Sequence, residues 1–87
     1  MSKVAFTRHA MVKFDILQRH GFEITRAQVE ELLLGPEKVV SRESDKFIAQ
    51  KAISERHVLR VVYRVESETM IAITFYPGRR DRYEGSI

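Results

Sequence analysis

Apolar residues first recur with helical spacing in the stretch "TRHAMVKFDILQRHG". Ala10, Phe14 and Leu17 fall at i, i+4 and i+7, the spacing that places three side chains on one stripe of an α-helix. Thr7 precedes the stripe as a candidate N-cap, and Gly21 follows it as a residue that readily ends a helix. The pattern predicts a first amphipathic helix between these two residues.

A second helical pattern follows in "TRAQVEELLLGP". Thr25 and Gln28 have the three-residue spacing of a capping box, and Val29, Leu32 and Leu33 supply the apolar stripe. The pair Gly35-Pro36 then ends the pattern. We therefore predict two helices in the first part of the chain.

After Glu37 the pattern changes to short segments rich in β-branched and aromatic residues. "EKVVSRE" and "KFIAQKAI" flank the turn-prone pair Ser44-Asp45, which predicts a hairpin. "VLRVVYRV" and "MIAITFY" flank residues 66–69, which predict a second hairpin. A short leading strand at "KVAF" is a further candidate.

Alternation along the last two strands assigns their side chains to two faces. The apolar face is expected to carry Leu59, Val61, Tyr63 and Val65 of one strand, and Ile71, Ile73 and Phe75 of the next. The opposite face is expected to carry polar side chains, among them Arg60, Arg64, Thr74 and Tyr76. The sequence thus predicts an α+β fold, with two N-terminal helices packed on one face of a mainly antiparallel sheet of about four strands.

Composition limits the classes of function. The chain has 87 residues, enough for one domain, and its lack of cysteine excludes disulfides and thiolate metal sites. Its apolar runs are shorter than the roughly 18 residues of a membrane span, and its first residues lack the apolar core of an export signal, so we expect a cytoplasmic protein without a membrane partner. A net charge of +3 favours a polyanionic partner.

Arginines and tyrosines are concentrated at the end of the chain, in "FYPGRRDRYEGSI". Guanidinium groups offer paired donors that match phosphate oxygens, and tyrosine offers both a ring on which a base can stack and a hydroxyl. A trough is expected to form from five arginines, namely Arg60, Arg64, Arg79, Arg80 and Arg82. Tyr76 and Tyr83 are expected at its edge. The alternative is that each side chain only covers an ordinary solvent face.

The three histidines are the side chains that titrate near neutral pH. His9 lies one helical turn from Lys13, while His20 lies near the end of the first helix and has an expected structural role. The histidines and acids are scattered without metal-ligand spacing, so we expect neither a metal nor another cofactor.

Several short motifs resemble a family of small prokaryotic domains related to the RelE and BrnT toxins. They are His9-Ala10, "RHGFEIT" with "QVEELL" after it, "GPEKVV", "ITFYP" and the tail "GRRDRYE". The resemblance implies a single RelE/BrnT-like domain over residues 1–87 that cuts RNA without a metal and is silenced by an antitoxin protein.

The resemblance also implies roles for individual residues. His9 or Tyr83 would transfer protons, and Arg64 would stabilise charge at the cleaved phosphate. The expected RNA-binding residues are Lys13, Arg60, Arg64, Tyr76, Arg79, Arg80 and Arg82. Two alternatives stay open: a non-catalytic module that binds RNA or protein on the same scaffold, and a protein whose "YPGRRDRYE" segment is an arm for an acidic partner.

Overall fold

The computed structural model describes residues 3–43 and 45–83, and for residue 83 it describes the backbone alone. In chain order its elements are β1 (Lys3–Phe6), α1 (Arg8–Arg19), α2 (Arg26–Leu34), β2 (Lys38–Glu43), β3 (Lys46–Ala52), β4 (His57–Glu66), β5 (Thr69–Arg79) and the short α3 (Arg80–Tyr83). The predicted α+β class, with two N-terminal helices, is confirmed.

The described strands form one five-stranded sheet in the order β1-β5-β4-β3-β2. Strands β2 to β5 form an antiparallel meander, in which each strand pairs with the next; it contains the two hairpins β2–β3 and β4–β5 that the sequence predicts. The leading strand β1 adds a fifth member, which pairs parallel with β5. This parallel pair places the start of α1 beside the last long strand of the chain.

Both helices begin at the threonines that the sequence indicates. The Thr7 hydroxyl accepts a hydrogen bond from the Ala10 N–H of α1 at 3.1 Å. Thr25 and Gln28 form the complete capping box of α2, each side chain accepting from the other residue's backbone N–H. After α1, Gly21 has a positive φ of 90°, a conformation that other residues rarely adopt. Local sequence therefore fixes where both helices start.

The helices cover one face of the sheet and form the core with it. Phe75 is fully buried, and its ring lies 4.6 Å from that of Phe14 of α1, centroid to centroid. From β4 the core receives Leu59, Val61 and Tyr63, which are the residues predicted for this face. Val65, predicted for the same face, is 49% exposed because it lies near the end of the strand.

A β-bulge in β5 makes the predicted faces of that strand wrong over half its length. Val62 pairs with Thr74 but Tyr63 pairs with Ala72, so Ile73 is an extra residue. Before the bulge, Ala72 and Met70 therefore face the core and Ile71 faces the opposite side beside Arg64. The bulge lies where Thr7 binds, since its hydroxyl donates to Ile73 O at 2.9 Å and its N–H donates to Ala72 O at 3.0 Å.

Burial of Tyr63 gives the fold an expected dependence on alkaline pH. Desolvation raises the pKa of this phenol above its ordinary value, so the folded state favours its protonated form. The resulting stability is complete below about pH 10, the ordinary pKa of tyrosine, and is lost as pH rises through the higher folded pKa. In denaturant titrations at rising alkaline pH we expect Tyr63→Phe to lose less stability than the parent. Equal losses of stability in the two proteins would show that Tyr63 is not the source of the pH dependence.

No helix in the described part of the chain is long and apolar enough to cross a membrane.

Candidate nucleic-acid interface

The face of the sheet turned away from α1 and α2, the helix-free face, carries a row of long polar side chains across four strands. Pairing aligns Lys38 of β2 with Gln50 of β3, Gln50 with Arg60 of β4, and Arg60 with Tyr76 of β5. Paired residues project from the same face. Neighbouring strands are about 4.8 Å apart, so the row extends for roughly 14 Å across the sheet.

Arg60 and Tyr76 form the centre of this row. The Arg60 guanidinium donates a hydrogen bond from Nη1 to Tyr76 Oη at 3.1 Å, and its central carbon lies 5.7 Å from the centroid of the Tyr76 ring. Both side chains are half-buried. The pair is therefore held in one arrangement, and less conformational entropy is lost when it contacts a ligand than for two free side chains.

Beside this pair, buried polar atoms lie among apolar side chains of the same face such as Ile48 and Val58. Gln50, next to Arg60 in the row, is only 4% exposed and is the one buried polar residue in the described part of the chain. On the next row, Thr74 Oγ1 is buried without a hydrogen-bond partner among the described residues. Buried polar atoms are costly unless they are satisfied, so a ligand or an ordered water that bonds Thr74 Oγ1 would be stabilised here.

Arg64 lies on the same face as Arg60, four residues along β4 and thus about 13 Å away. Its Nε and Nη2 both lie 2.6 Å from one oxygen of Glu66, so part of its charge is already compensated. Its side chain is 37% exposed and that of Glu66 is 59% exposed, and ion pairs this open to solvent contribute little and can be exchanged. Arg64 is available to an anion, but less so than an unpaired arginine.

The last arginines do not form the single trough that the sequence suggests. Arg79 pairs with His57, which is in the series that faces the helices, and so it lies on the other side of the sheet from Arg60. Arg80 is held at the end of the sheet, where its N–H donates to Arg56 O at 2.8 Å and its Nη1 donates to Ser54 O at 3.3 Å. Arg82 is exposed on α3. The segment "YPGRRDRYE" is therefore part of the fold as far as α3, and over those residues it is not a free arm.

One of the two candidate proton-transfer residues, His9, is placed apart from Arg60 and Arg64. His9 is exposed in the first turn of α1, and Lys13 is half-buried one turn later, so both belong to the helix layer. Arg60 and Arg64 project from the opposite side of the sheet. The side chain of Tyr83 lies outside the described residues. The structure therefore does not bring His9 together with Arg64.

Two cations of the helix-free face were missed in the sequence. Lys38 lies at one end of the central row, and Lys46 pairs with Arg64. Alternation along β2 and β3, applied as it is to β4 and β5, places both lysines on this face. Alternation within one strand gives the face of a residue but not its neighbours on the next strand. The register of the hairpins is needed to align the two lysines with the arginines.

Within the described ranges, no group of three or more histidine, cysteine, aspartate or glutamate side chains is arranged to hold a metal ion.

Comparison with known proteins gives a likeness of fold. No family model matches the chain, and no curated protein matches it significantly. The solution structure of a conserved hypothetical protein from Helicobacter pylori is similar, with a TM-score of 0.54 and 18% sequence identity over 88% of this chain and 94% of that one. At this identity the match concerns the fold alone.

Proposed function

We propose that the protein acts on RNA through the helix-free face, as a metal-independent, endoribonuclease toxin-like protein of the RelE/BrnT type. The observation that carries the proposal is the row Lys38, Gln50, Arg60 and Tyr76, with its hydrogen-bonded Arg60–Tyr76 pair. Guanidinium and ammonium groups suit phosphates, and a tyrosine ring suits a stacked base. Single-stranded RNA presents both features together.

The charge on this face supports a polyanionic ligand. Lys38 and Lys46 add to Arg60 and Arg64, so that four cations project from three adjacent strands. Glu66, and Glu43 where it pairs with Lys46, offset part of this charge. The remaining excess is modest, which favours an extended single strand contacted at a few phosphates over a wrapped duplex.

The motif resemblance supplies the biological setting of the proposal. It makes the protein the toxin-like member of a toxin–antitoxin type system, with an antitoxin protein as its second partner. In this setting Arg64 stabilises the phosphorane charge, and Tyr83 is the remaining candidate for proton transfer, because His9 belongs to the helix layer on the other side of the sheet. Cleavage then yields a 2′,3′-cyclic phosphate and a free 5′-hydroxyl.

The test of this function is cleavage of RNA in EDTA by folded protein purified free of any antitoxin. We expect RNA, free or on ribosomes, to be cut, with 2′,3′-cyclic phosphate or 3′-phosphate ends. DNA of the same sequence should remain intact because it lacks the 2′-hydroxyl nucleophile. Binding without any cutting of either RNA would reject the endoribonuclease and leave RNA binding.

A non-catalytic RNA-binding module is the second candidate. The placement of His9 favours it, because this residue belongs to the helix layer while Arg60 and Arg64 project from the other face. A proton-transfer group must reach the bond that it serves, at about 3 Å directly or through one water. The cleavage assay in EDTA separates the two candidates. If RNA is cut, His9→Ala tests the role of His9: unchanged cleavage excludes this residue from the mechanism, and lost cleavage with unchanged RNA affinity gives it a catalytic role.

A further inference from the structure

An open cavity of about 530 Å³ lies at one end of the sheet, away from the Arg60 row. Its lining residues are Glu55, Arg56, His57, Arg79 and Asp81. They come from the turn between β3 and β4, from the first residue of β4, and from the junction of β5 with α3. The cavity thus joins two cations, an imidazole and two carboxylates.

Hydrogen bonds hold the walls of this cavity in place. The Ser54 hydroxyl accepts from the backbone N–H groups of Arg56 at 3.3 Å and His57 at 3.1 Å. Arg80 ties the opposite wall to the turn through its bonds to Arg56 O and Ser54 O. The His57 ring packs edge-on against Phe22 at 5.2 Å between centroids. These bonds fix the backbone of the cavity walls, while the side chains of Glu55, Arg56, Arg79 and Asp81 are exposed.

The mixture of charges in the cavity fits one class of ligand. Two guanidinium groups match the oxygens of a phosphate, whereas carboxylates repel phosphate but accept hydrogen bonds from sugar hydroxyls. The Arg79–Asp81 ion pair is long, 3.6 Å, and both side chains are more than 70% exposed, so it can open for a ligand. A ribonucleotide presents phosphate oxygens and vicinal hydroxyls at once.

We propose that this cavity is a ribonucleotide subsite, in which Arg56 and Arg79 hold the phosphate and Glu55 or Asp81 accepts from the ribose hydroxyls. The inference rests on the proposed function, since it extends the RNA path beyond the helix-free face. His57 and Arg60 are three residues apart on β4, about 10 Å along the strand, and they project from opposite faces, so a single strand of RNA joins the two sites by passing around the end of the sheet. The subsite selects RNA over DNA through the 2′-hydroxyl.

The test uses 5′-AMP, 2′-deoxy-5′-AMP and inorganic phosphate as separate probes, followed by amide chemical shifts. We expect 5′-AMP to shift residues 54–57 and 79–81 and to bind more tightly than the deoxy form. The double variant Arg56→Ala/Arg79→Ala should weaken 5′-AMP tenfold or more. The control Arg19→Ala/Arg42→Ala removes the same charge elsewhere and should not weaken it.

Asp81→Asn and Glu55→Gln separate sugar recognition from phosphate recognition. One of them should abolish the preference for 5′-AMP over its deoxy form while retaining phosphate binding. Shifts outside the cavity, or equal binding of the two nucleotides by the parent protein, would overturn the inference. If the binding of long RNA still depends on Arg60 in that case, the proposed function stands. If 5′-AMP binds in the cavity but RNA does not contact Arg60, only the proposed function is rejected.

Discussion

Replacing Phe75 with alanine should lower the free energy of unfolding by about 3 to 5 kcal/mol. Phe75 is the largest fully buried side chain of the described residues, and it lies between the sheet and Phe14 of α1. Its loss removes a large apolar surface from the core and leaves a cavity that helices and strands cannot easily close. A domain of 87 residues has about 4 to 13 kcal/mol in total, so this change removes much of its stability.

Urea denaturation followed by circular dichroism measures this loss. Val12→Ala is the control, because Val12 is 51% exposed on α1 and its truncation should cost less than about 0.5 kcal/mol. Phe75→Leu should fall between the two, since it retains part of the buried volume. A loss below about 1 kcal/mol for Phe75→Ala would mean that this contact between α1 and β5 is not central to the core.

Replacing Arg60 with alanine should weaken RNA binding by about 2 kcal/mol, or roughly 30-fold. The change removes a half-buried guanidinium from the centre of the row and leaves Tyr76 without the donor to its hydroxyl. If four cations of the face contact phosphates, the slope of log affinity against log salt is about −2.8 for a single strand, and loss of Arg60 should reduce it by about 0.7.

Two controls separate binding from folding in this measurement. Arg19→Ala removes the same charge from the helix layer, where Arg19 forms an exposed pair with Asp15, and should leave both affinity and slope near the parent values. Tyr76→Phe keeps the ring but loses the hydroxyl, and should weaken binding less than Arg60→Ala. An unchanged slope in Arg60→Ala would exclude this face as the RNA surface.

Local signals in the sequence were sufficient for the helices. Thr7 and Thr25 cap α1 and α2 through contacts within three residues, so neighbouring residues alone determine these ends. The two hairpins are also local, since each joins consecutive strands across a short turn. These features can be read from periodicity because the interactions that form them span few residues.

The faces of β5 could not be read in the same way. Ile71 and Ile73 are apolar, and alternation therefore assigns both to the core together with Phe75. The bulge at Ile73 forms where Thr7, 66 residues earlier in the chain, binds the carbonyl oxygen of Ile73. A contact of such sequence separation decides which residues face the core, and no local pattern encodes it.

For the candidate site, alternation placed Arg60, Arg64, Thr74 and Tyr76 on the helix-free face, as the structure has them. The Arg60–Tyr76 hydrogen bond required the register of β4 against β5. Arg79 was misplaced because closeness in sequence to the other arginines does not determine the side of the sheet from which a side chain projects. Its partner across the strands is His57, and both residues line the cavity at that end of the sheet.

The central claim concerns which surface meets RNA, and amide chemical-shift mapping during titration with a short single-stranded RNA tests it most directly. We expect the largest changes along the central row, at Lys38, Gln50, Arg60 and Tyr76, with little change on the outward surfaces of α1 and α2. Changes confined to the helices, with the row unaffected at saturating RNA, would contradict the claim.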